Sequence, residues 1–428
     1  MNWDVKYYPE YRDGKKLAFP HVPMEHAKFA QSVAVGNVVF VSGCTGHDTR
    51  TGKPAPKGFA DQMKIALDKA RIAMETAGSS MDNIVKTFCF VRSLEDYSLL
   101  RKTEVEYYEE HAPYLLGHPP AATFIVVTSL AKPEYLVEYE VIGVLDRAAP
   151  EWGVRYYPEY WGGRELAYPH VPKEHAKFAR TQVVGNLIIV SGCQALDHDS
   201  VKVETDDFRK QTRIVLEKIR VGLEEPGGSM SNLLKTNVLL KDIGDLPVYR
   251  EIERAFFQKH APDLARNPPA STVIIASELP RREFLVEVEA FGVVDKKAPG
   301  WPVKYHPGNK DASGAVCAGN LLFLSACDGS VPGSGKAETG TVERQIVAAL
   351  DKARAAMESA GSSMNKVVKT LVMLRHLEDY PTMRRTELQY YQKHAPDLVD
   401  NPPASTFLQL PCITGPETLF QIDMTAVL

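Results

Sequence analysis

Three sets of polar side chains recur at matched places along the chain, and each could do chemistry. Ser42-Gly43-Cys44, Ser191-Gly192-Cys193 and Ser325-Ala326-Cys327 each close an apolar run. A cysteine there acts as a nucleophile where a nearby cation or helix N-terminus depresses its pKa; without that help it is a small buried hydrophobe. Glu138 and Glu140 stand two residues apart, as do Glu287 and Glu289, and Gln421 and Asp423 replace them in the third set. Residues two apart on a strand share a face. On a wetted face such a pair only solvates the sheet, whereas in a cleft a carboxylate with a raised pKa can serve as a general base. Arg101, Arg250 and Arg384 each precede a glutamate by three positions. That spacing allows a surface ion pair on a helix. It equally allows a guanidinium to grip a substrate carboxylate through two hydrogen bonds.

The elements that must hold these groups come in three copies. Trp3, Trp152 and Trp301 open related stretches, each 149 residues from the last. That period is far too long for a solenoid and suits a domain. The expected units are 1–148, 149–297 and 298–428, joined by short seams that carry Ala149-Pro150 and Ala298-Pro299. A second landmark is a Pro-Pro corner: Pro119-Pro120-Ala121-Ala122, Pro268-Pro269-Ala270-Ser271 and Pro402-Pro403-Ala404-Ser405. Two prolines hold the chain extended ahead of a β-branched run.

Within the first unit, Gly36-Asn37 reads as a hairpin turn between two strand-like runs, as do Gly185-Asn186 and Gly319-Asn320. Apolar spacing predicts a helix over 59–77, stopped by Gly78. A strand over 83–91, a helix over 94–110 and a closing hairpin of 123–129 with 136–144 follow. The order β-β-α-β-α-β-β predicts an α/β (α+β) unit with both helices on one face of a mixed sheet. Three such units can cover their bare sheet faces together, as a single-chain pseudo-trimer with sheets inward and helices outward. The third copy lacks the segment found at 20–28 and 169–177, so its clefts must differ.

Composition narrows the class. The 428 residues are 44% hydrophobic and 24% charged, ordinary for a soluble protein with a large core. A net charge of −4 gives no basic footprint for nucleic acid or an anionic membrane. The N-terminal stretch lacks the apolar centre of a signal peptide, and no run approaches a membrane span. Six cysteines without a CxxC pair fit a reduced, cytoplasmic protein. Lys86, Lys235 and Lys369 precede a threonine on one predicted strand and read as structural. His21, His26, His170 and His175 sit in loops without metal-cage spacing, so neither a metal nor a cofactor is expected.

The chain resembles the Rid family, the reactive-intermediate deaminases also called YjgF-like proteins. The resemblance rests on Val35-Gly36-Asn37 ahead of an apolar run and Ser42-Gly43, on the Ala-Gly-Ser-Ser-Met pattern over 77–87, on Leu94-Glu95-Asp96-Tyr97, and on Pro-Ala-(Ser/Ala)-Thr at the corner. It covers nearly the whole chain. It implies trimers of chorismate-mutase-like domains, a ligand cleft between neighbours, and hydrolysis of enamines and imines with release of ammonia. In such deaminases an arginine at the corner grips the substrate carboxylate and a glutamate on the last strand helps place water. The arginine position is held here by Ala122, Ser271 and Ser405, and the resemblance gives the glutamate position to Glu140, Glu289 and Asp423. Cys44, Cys193 and Cys327 stand where the family usually carries glutamine.

The expected function is hydrolysis of a small polar C–N substrate, such as an enamine, imine, amide or ureide, at clefts between units. Glu140, Glu289, Asp423, Cys44, Cys193 and Cys327 are the expected catalytic groups. Arg101, Arg250, Arg384, Ser271, Ser405, Gly43 and Gly192 are expected to hold the substrate. The alternative is a non-catalytic metabolite binder. The expected partner is a small molecule, not nucleic acid or a membrane, and further self-association of the fused trimer stays open.

Overall fold

Matching apolar patterns give three matching units. The computed structural model describes residues 3–12, 14–47, 56–197, 200, 202–331, 337–338 and 340–428. The first unit runs β1 (Val5–Pro9), β2 (Tyr11–Arg12), β3 (Lys15–Lys16), β4 (Ala30–Val35), β5 (Val38–Thr45), α1 (Phe59–Thr76), β6 (Ile84–Val91), α2 (Tyr97–His111), α3 (Tyr114–Gly117), β7 (Ala121–Val126) and β8 (Val137–Val144). The second runs β9 (Val154–Pro158), β10 (Tyr160–Trp161), β11 (Arg164–Glu165), β12 (Ala179–Val184), β13 (Leu187–Gln194), α4 (Phe208–Glu224), β14 (Leu233–Leu240), α5 (Leu246–His260), β15 (Ala270–Ile275) and β16 (Val286–Val293). The third runs β17 (Val303–His306), β18 (Ala315–Ala318), β19 (Leu321–Leu324), β20 (Cys327–Asp328), α6 (Val342–Ser359), β21 (Val367–Leu374), α7 (Tyr380–His394), α8 (Asp397–Asp400), β22 (Ala404–Gln409) and β23 (Phe420–Val427).

Each unit is a mixed sheet with its two long helices on one face. Gly36, Gly185 and Gly319 turn the first hairpins at φ of 57°, 59° and 60°, a conformation that suits glycine. Helix α1 buries the stripe Met63, Ala66, Leu67, Ala70, Ala73 and Met74. One expectation needs correcting. The last two strands of the unit do not form a hairpin: β8 lies between β5 and β6, antiparallel to both, and β7 lies beyond β6 and parallel to it. All eight residues of β8 are buried. In that place its backbone groups find partners on both sides, which a terminal hairpin would not provide. The structure also adds an edge strand, β1, which pairs with β4, and a small β2–β3 hairpin.

The units close on one another in a ring. Ala121 of β7 meets Ala179 of β12 in parallel, so the first two sheets run together as twelve strands, beside a seven-stranded sheet in the third unit. The Pro-Pro corner makes all three joints. Ala179 N–H donates to Pro120 O at 3.0 Å, Ser313 to Pro269 at 3.1 Å, and Ala30 to Pro403 at 3.1 Å. The serine that precedes each Gly/Ala-Cys pair accepts from the next corner: Ser191 from Ala122 N–H at 2.8 Å, Ser325 from Ser271 at 2.9 Å, and Ser42 from Ser405 at 2.8 Å.

Two apolar clusters fill the middle, each drawn from all three units. One contains Trp3, Trp152 and Trp301, whose rings meet edge-on with centroids 4.8–5.5 Å apart. The other contains Phe88, Leu239 and Met373. Separate cores lie between each sheet and its own helices. Sheets therefore face inward and helices outward. Among the described residues no helix is long and apolar enough to cross a membrane.

Candidate functional site

The expected catalytic carboxylates form the joints between units. Lys86 Nζ lies 2.5 Å from Glu289 Oε2, and Lys369 Nζ lies 2.6 Å from Glu140 Oε2. Lys235 pairs with Asp423 in the same way. Every pair crosses a unit boundary. Thr123, Thr272 and Thr406 add hydroxyl bonds to Glu289, Asp423 and Glu140. Burial pushes the Glu289 pKa up, but the Lys86 charge and the bonds from Lys86, Thr123 and Asn237 outweigh it and leave the carboxyl below its ordinary value. None of the three carboxylates lines either cavity described below.

The cysteines face the helices. In the β5–β8 register Cys44 is opposite Tyr139 and Thr45 is opposite Glu138, so the thiol points away from the glutamate side. Cys44 and Cys193 belong to the helix-side cores, and Cys327 packs against the third. Burial pushes all three thiols up to about 12. A thiol whose pKa is raised by burial is a poor nucleophile, which favours the packing reading for them.

Among the described residues, two cavities of substrate size open between units. The larger, about 400 Å³, lies between the third and first. The smaller, about 110 Å³, lies between the first and second. A bulge in the β5–β8 pairing at Ser42-Gly43, repeated at Ser191-Gly192, lets the neighbouring glutamate fold over the glycine. A Cβ on Gly43 would overlap the carboxyl of Glu138, and one on Gly192 would overlap that of Glu287. Both glycines line their cavities.

Glu138 and Glu287 are therefore the carboxyls at the cavity floors. Glu138 is 3% exposed. Its Oε1 accepts from Phe407 N–H of the third unit at 3.3 Å, and its Oε2 has no hydrogen-bond partner. Burial lifts its pKa to about 8, against the pull of that N–H and of Lys69. Glu287 is fully buried, and burial holds its pKa well above the ordinary value against the pull of a hydrogen bond from Gln194. Burial thus favours the protonated form of both carboxyls.

Arginines face these acids from the neighbouring unit. Arg384 on α7 lines the large cavity and Arg101 on α2 the small one. Each is braced by the glutamate three residues on, Arg384 Nη1 to Glu387 and Arg101 Nη1 to Glu104, both at 2.9 Å. Each lies over a tyrosine, Tyr380 at 5.0 Å and Tyr97 at 5.2 Å. In both, Nε is buried without a partner. The small corner residue, Ser405 or Ala122, forms part of the same wall. Lys28 and Lys177 each bind three carbonyls of the loops that bring His26 and His175 to the cavities.

The third seam is built differently. Ala326 replaces the glycine and Gln421 replaces the glutamate. Ala326 N–H donates to Ser271 O at 3.2 Å, tying the two units at that point. Arg250 is held by Glu253 at 2.6 Å and by the Ser271 hydroxyl at 2.7 Å. Ser271 and Arg250 thus bond to each other. The paired change of Gly/Glu to Ala/Gln is visible in the sequence, and it marks Glu138 and Glu287 rather than the carboxylates two residues on. Among the described residues no group of three or more His, Cys, Asp or Glu could hold a metal ion.

The family model described as endoribonuclease L-PSP matches three times, over 20–145, 169–294 and 309–428. The chain belongs to this family. L-PSP relatives are single-unit proteins beside it. A RutC family protein of Pyrococcus abyssi is 31% identical over 119 residues, 28% of this chain and 87% of that protein. The 2-iminobutanoate/2-iminopropanoate deaminase of Escherichia coli strain K12 is 30% identical over 130 residues, 30% of this chain and 97% of that protein. Among solved structures, the YjgF gene product of E. coli is 30% identical, covers 30% of this chain and 98% of its own, and has a TM-score of 0.26.

Proposed function

We propose that this L-PSP protein hydrolyses small imines or enamines at its two cavities, releasing ammonia. The observation that carries the reading is a buried carboxyl whose pKa burial raises, Glu138 or Glu287, facing a braced arginine across a unit boundary. The relative named 2-iminobutanoate/2-iminopropanoate deaminase supports it. Arg384 or Arg101 holds a substrate carboxylate through its free Nε edge. The carboxylic acid protonates the imine nitrogen, or the terminal carbon of an enamine, and so becomes a carboxylate. That carboxylate takes a proton from water as the oxygen bonds to the imine carbon. The regenerated acid protonates the amine, and as the C–N bond breaks the hydroxyl proton returns to the carboxylate, releasing ammonia and leaving the carbonyl product. Imine plus water gives carbonyl compound plus ammonia, with no other reactant.

The test is ammonia release from a 2-imino acid generated in place by an amino-acid oxidase. The full chain raises the rate above the background. Glu138→Gln/Glu287→Gln lowers the added rate by about 100-fold or more, the scale of a lost general acid. A double variant with undiminished rate overturns the assignment. Binding of 2-oxo acids without any ammonia release makes the chain a metabolite binder instead.

A further inference from the structure

The two cavities share a floor and differ at the mouth. The floors are Gly43 with Glu138 and Arg384, and Gly192 with Glu287 and Arg101. At the mouth of the large cavity the β2–β3 hairpin supplies Arg12, and at the small one the matching β10–β11 hairpin supplies Trp161. His47 and Tyr135 of the large cavity become Leu196 and Phe284 in the small one. Lys69 lines the large cavity, whereas its counterpart Lys218 is tied to the carbonyl of Leu196 at 2.6 Å. Arg12 and Trp161 lie before the segments that the L-PSP family shares, which start at 20 and 169.

The charge balance follows. Arg12, Lys69, Lys132 and Arg384 all line the large cavity. Its carboxyls are Glu25, already paired with Arg385 at 3.3 Å, and Glu138. Among the described residues the buried Arg12 Nε has no hydrogen-bond partner. In the small cavity Arg281 lies over the Trp161 ring at 5.9 Å, and Trp161 itself meets Phe178 edge-on. A second carboxylate entering that apolar mouth loses water without an equal replacement. In the large cavity it meets the Arg12 guanidinium and the ammonium groups of Lys69 and Lys132.

We propose that the chain carries two sites of unlike specificity: the cavity between the third and first units takes a small dicarboxylic 2-imino acid, and the cavity between the first and second takes one with a short aliphatic side chain. This rests on the hydrolase reading of both floors. The size of the small cavity suits the second assignment, because an apolar hole near 150 Å³ is about enough for benzene.

Exchange of the mouths is the test, read by calorimetric titration of the full chain with 2-oxoglutarate and with 2-oxobutanoate. Arg12→Trp/His47→Leu/Tyr135→Phe gives the large cavity the mouth of the small one. Trp161→Arg/Leu196→His/Phe284→Tyr does the reverse. Each introduced residue already stands at the equivalent place in the other unit, so the scaffold accepts it. The first variant is expected to weaken 2-oxoglutarate binding by about tenfold or more, the scale of one lost charge-assisted bond, and to leave 2-oxobutanoate binding in place. The second is expected to add a second 2-oxoglutarate site. Unchanged 2-oxoglutarate affinity in the first variant, or equal binding of both probes to both wild-type cavities, overturns the proposal. If the exchanges move binding while no imino acid releases ammonia, the specificity stands and the hydrolase reading falls. Ammonia release that ignores the exchanges has the opposite meaning.

Discussion

The carboxyl of Glu138 rests directly on Gly43, in the space a side chain at that position would fill. The same holds for Glu287 on Gly192. The glycine is part of the site because it lets a buried acid lie flat against the strand and face the neighbouring unit.

Gly43→Ala should therefore push Glu138 off the cavity floor. The expected result is a loss of ammonia release at the large cavity, with a stability cost of about 1–3 kcal/mol from overpacking. Gly192→Ala should do the same at the small cavity. Ala326→Gly, where Gln421 replaces the acid, should leave both rates unchanged. Rates measured with one cavity disabled at a time, alongside urea midpoints, check all three.

The ring of ion pairs predicts a stability effect without a chemical one. Lys369→Met leaves Glu140 buried and unpaired, at a cost of about 3–5 kcal/mol. Lys369→Met/Glu140→Leu should recover most of it, since a buried pair replaced by apolar groups is often neutral. The matching Glu289 has a lowered pKa. Its contribution is present above the ordinary glutamate value and is lost as pH falls through the folded value. Thermal melts of the two variants at neutral pH test the ion-pair effect, and melts of the unaltered chain against Lys86→Met at neutral and acid pH test the Glu289 one.

Thiol chemistry should be silent. With Cys44, Cys193 and Cys327 pushed up to about 12 by burial, iodoacetamide on the native protein at neutral pH should leave ammonia release intact. Cys44→Ala and Cys193→Ala should keep their rates. Inactivation by the reagent with protection by substrate would revive the nucleophile reading.

Much of this molecule was legible from residue order, and the misreadings have physical causes. Helix and strand positions follow from local apolar spacing, so β5, α1 and β6 were readable. The placement of β8 between β5 and β6 was not, because the stretch after β7 is compatible with a hairpin or a crossing and only the whole sheet decides. Glu138 and Glu140 share a strand face, so periodicity cannot separate them. What separates them is Lys369, which arrives from another unit and claims Glu140. The side of the strand on which the cysteines lie depends on a bulge at Ser42-Gly43, which spacing alone does not show. The helix arginines were legible as possible clamps, and the structure brings Arg101 and Arg384 to cavities while Arg250 bonds to Ser271.

The raised acid sets a pH dependence. Glu138 has a folded value of about 8 against an ordinary 4.5. Between these values the folded chain binds more protons than the unfolded one, so stability falls as pH rises. The contribution is full below about pH 4.5 and is lost as pH passes through about 8. Proton donation from the large cavity should fail over the upper part of the same range.

Infrared spectroscopy of the carboxyl groups reads the central claim without needing a substrate. At neutral pH the chain should show the C=O stretch of protonated carboxylic acid. Glu287→Gln should leave one such band that titrates away near pH 8, and Glu138→Gln/Glu287→Gln should remove the signal entirely. A spectrum with only carboxylate bands at neutral pH, or one in which the acid band survives in the double variant, would contradict the account.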